Sequence, residues 1–377
     1  MKNKLEGQNI KGNAVDATGE QGERFAAAFA LLEEAICRRI FPGAALAVTL
    51  DDKLLACRGF GHFTYEVESP SVTPETMWDL ASLTKAVATT SMAMLLYERG
   101  KLSLDSKVAE LLTEFSNAKL PQKAWREAVT VRMLLAHSAG LPAHRKFYLE
   151  ANGRAALIEA AMRVPLERAP MTHAEYSDIG FILLGELLER IAGERLDVFC
   201  EREVFRPLML NLRFTVQQPG CKDIPPTCVD TAYRRRIVQG EVNDENASAM
   251  GGVAGHAGLF GDALSISRFA QCMLEGGSPV FRSETVRLFT TRQLEPPGSS
   301  RALGWDTPSA PSQSGSRLSE RSFGHLGFTG TSLWCDPERK LSITLLTNRT
   351  WPSSRNQGIR EVRPKVHDAI VKALEGE

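Results

Sequence analysis

Phe25, Phe29, Leu32, Ile36 and Ile40 recur at steps of three and four residues, the spacing of one face of a helix, and Pro42-Gly43 marks its end. The apolar pattern then changes: residues 44–50 and 53–59 read as two strands joined by a tight turn at Asp51-Asp52. From 82 to 208 the chain reads as mostly helical. A nearly all-apolar helix spans 82–99 and stops at Gly100, and another spans 178–192 and stops at Gly193. Near the end, residues 332–335 and 341–347 form a hairpin around Asp336-Pro337, and Val362, Val366, Ile370 and Ala373 mark a last helix. Helix and strands at both ends with a helical middle predict one α/β layer built from both termini, with an inserted helical domain. The expected division is a disordered polar tail over 1–21, an α/β domain from 22–81 and 251–377, and a mainly helical domain over 82–250. Two stretches, 215–250 and 295–324, carry no periodicity. Loops of such length in a compact protein are functional or disordered.

Composition narrows the function more than the fold. A chain of 377 residues is long enough for two or three domains with cores of their own, so it needs no metal or disulfide to fold. Lys+Arg 45 against Asp+Glu 45 leaves no net charge, which removes the basic field that holds nucleic acid or an anionic membrane. No apolar run is long enough to span a bilayer, and the basic opening Met1-Lys2-Asn3-Lys4 is not followed by a signal-peptide core. Cys 7 is an odd count without a C-x-x-C pair, so reduced thiols and a cytoplasmic address are expected. Cys57, Cys272 and Cys335 fall in strand or helix patterns and read as small core hydrophobes.

Four segments carry candidate chemistry. In Ser82-Leu83-Thr84-Lys85, a spacing of three puts serine and lysine on one helical face, where the amine can tune or accept the hydroxyl's proton. The competing reading makes Ser82 a helix cap and sends Lys85 to solvent, and Ser116-Asn117-Ala118-Lys119 matches the same short pattern. Tyr176-Ser177-Asp178 precedes the second buried helix. A phenol needs a nearby cation to act as a base at neutral pH, and Lys85 is a candidate; otherwise Ser177 or Asp178 is an N-cap and Tyr176 packs. Gly324-His325-Leu326-Gly327-Phe328-Thr329-Gly330-Thr331 is glycine-dense beside a strand, where backbone approaches a ligand closely or bulges. Gly251-Gly252-Val253-Ala254-Gly255-His256-Ala257-Gly258 lacks the spacing of a phosphate loop or dinucleotide site and reads as tight packing near a site. His137 and His144 have no partner at metal-ligand spacing, and no G-x-S-x-G elbow occurs.

In order, these segments resemble the serine β-lactamase-like family: class C β-lactamases, low-molecular-weight penicillin-binding DD-peptidases, D-aminopeptidases and family VIII carboxylesterases. The likeness covers roughly residues 25 to 375 and includes Leu102-Ser103-Leu104-Asp105 and the run from Leu134 to Pro142. It implies an α+β fold with an antiparallel sheet flanked by the terminal helices and an inserted all-helical domain. It implies Ser82 as acyl-accepting nucleophile, Lys85 and Tyr176 sharing the acid and base work, and the N–H groups of Ser82 and Phe328 as oxyanion hole. Asp178, His325 and Gly327 would contact substrate, with no metal or organic cofactor. Two departures bear on the substrate. Asp178 stands where the second motif usually ends in Asn, and His325-Leu326-Gly327 replaces Lys-Thr-Gly. Leucine has no hydroxyl and a neutral histidine no fixed charge, so a β-lactam carboxylate loses its usual partners. The expected activity is hydrolysis of a small ester or amide, with a D-amino-acid peptidase or β-lactamase and a catalytically inactive binding module as alternatives. The 295–324 stretch enters at His325 and is expected to border the pocket.

Overall fold

The computed structural model describes residues 8–9, 20–117, 122–214 and 223–376. Most of the expected tail, half of the second S-x-x-K match and the head of the 215–250 stretch lie outside the described residues. The sheet is six-stranded and antiparallel, and its strands come from the two ends of the chain. Its order is Gln8–Asn9, Lys53–Gly61, Gly43–Leu50, Leu341–Thr347, Ser332–Asp336, Phe323–Leu326. The first hairpin turns through Asp51 and Asp52, both at positive φ (47° and 62°), as a two-residue hairpin loop demands.

Alternation along the central strands splits the molecule into two apolar regions. Ala44, Leu46, Val48, Ile343 and Leu345 face the Ala26–Cys37 and Ile359–Glu375 helices, against Phe29, Leu32, Val366 and Ile370. Ala45, Ala47, Leu333 and Cys335 face the opposite side, over which the Ala263–Leu274 helix packs. The first helix is shorter than its apolar spacing predicts. Phe25 interrupts it, and it ends at Cys37, because Arg39 turns to positive φ (55°) and delivers Ile40 to the core from a turn.

Between the two halves of the sheet run the helices that include Ser91–Glu98, Arg154–Arg163, Asp178–Ala192 and Leu196–Cys200. The Asp178–Ala192 helix has its predicted bounds, with Ser177 as N-cap and Gly193 left-handed at φ 73°. A second, three-stranded sheet pairs Leu259–Gly261 with Trp78–Asp79 on one side and Leu212–Phe214 on the other. It anchors the residues just before Ser82. The 215–250 stretch is less irregular than expected: Cys228–Asp230 pairs with Arg236–Val238, and Asp244 caps a short helix over Glu245–Ala249. Among the described residues, no helix is long and apolar enough to cross a membrane.

Candidate active site

Ser82 is not the first residue of a regular helix but sits in the turn that precedes one. Ala81 takes a left-handed φ of 49°, a conformation that costs a non-glycine residue about 1–2 kcal/mol. Hydrogen bonds on both sides impose it. Asp79 Oδ1 accepts the Ala81 N–H at 2.8 Å, and Thr84 Oγ1 donates to the Ala81 carbonyl at 2.7 Å. The Lys85 N–H donates to the Ser82 carbonyl at 3.0 Å. Lys85–Thr90 then winds as a wide π-type turn before Ser91–Glu98 continues as α-helix, so the helix expected over 82–99 is irregular in its first half. Burial pushes the Asp79 carboxyl up to about 6 even though two backbone N–H groups point at it.

Three side chains meet at this turn. Lys85, fully buried, donates from Nζ to Ser82 Oγ at 2.9 Å and to the His256 carbonyl at 2.9 Å, and pairs with Asp178 Oδ1 at 2.7 Å. Tyr176 Oη donates to Ser82 Oγ at 2.7 Å, and Lys85 Nζ lies 4.9 Å from the centre of the Tyr176 ring. His137 flanks that ring at 4.7 Å and the Arg301 guanidinium at 5.4 Å. The reading that sent Lys85 to solvent is thereby excluded.

Burial works against the charge on Lys85, but Asp178 and Tyr176 outweigh it and hold the amine above its ordinary value. Burial raises the Tyr176 phenol, and Lys85 offsets only part of that. Asp178 stays far below the carboxylate range because Lys85 overrides its desolvation, and it sits in the first turn of its helix, where the dipole also favours an anion. The carboxylate that replaces the family's usual amide is thus engaged by the lysine.

The glycine-dense 251–258 segment, which the sequence offered only as packing, holds this lysine. A Cβ on Gly255 would lie 2.1 Å from the Phe181 carbonyl and 2.9 Å from Gly185 Cα, so loop and helix touch backbone to backbone. That contact carries the His256 carbonyl to Lys85, while His256 Nε2 pairs with Asp244 Oδ1 at 2.8 Å.

On the far side stands the edge strand Phe323–Leu326. A Cβ on Gly327 would meet Thr331 Oγ1 at 1.9 Å and the Leu80 carbonyl at 2.7 Å, so glycine is required for this strand to close on the Ser82 turn. Thr329 and Thr331 fasten it there, donating to the carbonyls of Asp79 and Leu80, each at 2.9 Å. The Gly327→Ala protein is expected to lose about 1–3 kcal/mol of stability, from the overpacking, together with most turnover. A urea melt alongside an ester assay checks this, and an alanine protein with parental stability and rate would contradict the close approach.

Ser82 and Phe328 line one cleft, of about 790 Å³, and among the described residues the backbone N–H of neither has an acceptor. His325 also lines it. Its Nδ1 lies 2.8 Å from the Leu326 carbonyl, which can only accept, so Nδ1 carries the hydrogen and Nε2 is a buried lone pair with no partner among the described residues. Burial, then Lys85 and Arg301, lower this imidazole to about 3, and it is neutral.

The 295–324 stretch borders the cleft as expected, through Arg301, Asp306 and Gln313. Its centre is also a strap: the N–H groups of Ser316 and Arg317 donate to Asp368 Oδ1, and Ser314 is buried against the last helix. Asp244 and Arg301 belong to no motif, and no spacing in the sequence singles them out; His256 lies in the glycine-dense segment, where nothing marked its carbonyl as a partner of Lys85. His144, Asp178 and Asp244 bring three ligand atoms within 4.8 Å of one another. Both carboxylates are already engaged, by Lys85 and His256, which suits a charge network better than a cation site. Cys272 and Cys335 are buried in the core, and burial raises both thiols.

Comparison with known proteins agrees with this architecture. The Beta-lactamase family profile matches residues 26–366. An N-acetylmuramyl-L-alanine amidase of Bacillus subtilis is 34% identical over 345 residues, 82% of this chain and 77% of that one. A putative D-alanyl-D-alanine carboxypeptidase of Escherichia coli is 30% identical over 345 residues, 82% of this chain and 79% of its own. Among solved structures, a hydrolase with promiscuous acyltransferase activity superposes with TM-score 0.75 at 21% identity, covering 93% of this chain and 100% of that one. The octameric penicillin-binding protein homologue from Pyrococcus abyssi superposes with TM-score 0.72 at 21% identity, covering 93% and 77%. The chain belongs to the Beta-lactamase family, a β-lactamase-fold family of serine hydrolases.

Proposed function

We propose that this protein hydrolyses a small ester or amide through an acyl-enzyme on Ser82. The observation that carries the reading is one hydroxyl held at 2.9 Å by Lys85 Nζ and 2.7 Å by Tyr176 Oη, with the N–H groups of Ser82 and Phe328 free of acceptors among the described residues. Ser82 Oγ bonds to the substrate carbonyl carbon, and its proton passes to the Tyr176–Lys85 pair. The carbonyl electrons move to oxygen, where the N–H groups of Ser82 and Phe328 hold the oxyanion. As the carbonyl re-forms, the bond to the leaving group breaks, and the same pair returns the proton to that group. Water then repeats the sequence and frees Ser82.

The neutral His325 and the apolar Leu326 favour an ester over a β-lactam, since neither supplies a charge for a carboxylate at that place. A second reading, cleavage of a peptide amide, is supported by the amidase and carboxypeptidase relatives and by a cleft larger than a short acyl chain fills. A fluorophosphonate probe tests the shared step: Ser82 Oγ bonds to phosphorus and fluoride leaves. The adduct mass is expected on the peptide that contains Ser82. Labelling at another serine would remove the assignment, and no labelling would favour a binding module.

A further inference from the structure

Asp79 is a carboxylate that the proposed chemistry does not use. It is 3% exposed, between the apolar Trp78 and Leu80, and forms no ion pair among the described residues. Arg234, the cation that acts on it, is paired with Asp230 instead, at 3.4 Å. A buried charge without a counter-ion is costly, so its hydrogen bonds matter.

The two carboxylate oxygens face different segments. Oδ1 accepts the Ala81 N–H at 2.8 Å, and Oδ2 accepts the Asn243 N–H at 2.6 Å. The first bond falls on the residue at φ 49°, and the peptide unit that carries the Ser82 N–H starts there. An ionised acceptor makes the stronger bond that holds a non-glycine residue in that conformation. The second bond reaches the loop that ends on the lysine. Asp244, next to Asn243, pairs with His256 Nε2 at 2.8 Å, and the His256 carbonyl accepts from Lys85 Nζ at 2.9 Å. A third tie runs through the main chain: Thr329 Oγ1 donates to the Asp79 carbonyl at 2.9 Å, and Thr329 follows Phe328. The Trp78–Asp79 strand is itself pinned to Leu259–Gly261, so all three ties end on a fixed base.

We propose that Asp79 is a positioning residue for acyl transfer: it ties the Ser82 turn, the loop that holds Lys85 and the Phe328 turn to one point. This deepens the proposed function and rests on Ser82 as nucleophile. Asp79 does not line the cleft, so it acts only through the groups it holds. Both proposed oxyanion donors and the lysine depend on it, and they are needed most in the transition state. Its loss is therefore felt in kcat rather than in KM.

The Asp79→Asn protein keeps the shape of the side chain, but its amide oxygen can accept from only one of the two N–H groups. Its kcat on p-nitrophenyl butyrate, counted per Ser82 that a fluorophosphonate finally labels, is expected to fall about 10- to 100-fold. KM is expected to stay within about three-fold of the parent. A defect of folding alone would lower the number of labelled sites and leave the rate per site unchanged. Adding Ala81→Gly is expected to restore about three-fold or more of kcat, because glycine takes a positive φ without help. Parental kcat per site in Asp79→Asn, or a double variant no faster than the single one, overturns the proposal. If Asp79→Asn fails to fold, Thr329→Val decides. It cuts the third tie and is expected to lose about ten-fold in kcat at parental KM, and a parental kcat there overturns the proposal. Hydrogen exchange separates this from the nucleophile assignment: Asp79→Asn is expected to speed exchange at Ala81 and Asn243 together. Joint loss of protection, with no label on Ser82 in the intact protein, leaves the clamp standing and the serine reading wrong. Ser82 labelled in the intact protein, with kcat and exchange unchanged in Asp79→Asn, does the reverse.

Discussion

The Ser82→Ala protein is expected to lose about 10⁴-fold or more of kcat/KM on p-nitrophenyl acetate and butyrate, while unfolding within about 1 kcal/mol of the parent. The loss is large because no other hydroxyl of the cluster can take the acyl group. Tyr176 is fixed with its oxygen on Ser82, and Lys85 is held as a cation by Asp178. Stability survives because Lys85 keeps its other two partners, Asp178 Oδ1 and the His256 carbonyl, so removing the hydroxyl leaves no buried charge unpaired. A residual rate above that in buffer is expected from the two N–H groups proposed as the oxyanion hole, which the substitution spares. Steady-state assays on both esters with a denaturant melt decide it. Turnover that persists at the parental rate rules out Ser82 as the nucleophile.

How legible this site was in the sequence depends on how far apart its parts lie along the chain. Ser82 and Lys85 are three residues apart, and local geometry alone puts them on one face. Tyr176 is 94 residues from Ser82, and only the ordered likeness to a known family linked the two. Gly327 could be read as a place of close approach, but what approaches it, the Leu80 carbonyl, follows from how the edge strand docks. The strands and terminal helices were legible because each follows its own period, of two or of 3.6. The short elements within 228–249 were not, since elements this small draw their stability from tertiary packing rather than from propensity. Three arginines that line the cleft are the extreme case. Arg349 lies beyond a strand, Arg360 and Arg363 lie on a helix, and no spacing signals that they share a cleft with Ser82. Asp178 was legible as a departure from the family pattern. Its effect was not, because the effect belongs to a lysine 93 positions earlier.

That effect is measurable. Replacing Asp178 by Asn is expected to move the ascending limb of the kcat/KM–pH profile down by about one unit or more. In the proposed mechanism, Ser82 gives its proton to the Tyr176–Lys85 pair, so the pair must first have lost one, and the rate rises with pH until it has. Asp178 favours the protonated pair, because its negative charge lies 2.7 Å from Lys85 Nζ. Removing that charge lets the pair deprotonate at lower pH. Unit charges 4 Å apart near a protein surface interact by about 4 kcal/mol, against about 1.4 kcal/mol per unit of pKa. Asp178 is 19% exposed and solvent screens part of this, so one unit is the smaller end of the range. The limb cannot belong to His137 or His325, because burial holds both imidazoles well below 6.5. Asp178→Glu serves as the control: it keeps the charge and should keep the limb near its parental position. A limb that stays in place in Asp178→Asn, or moves to higher pH, would show that the ion pair with Lys85 does not set the protonation state of the reacting pair.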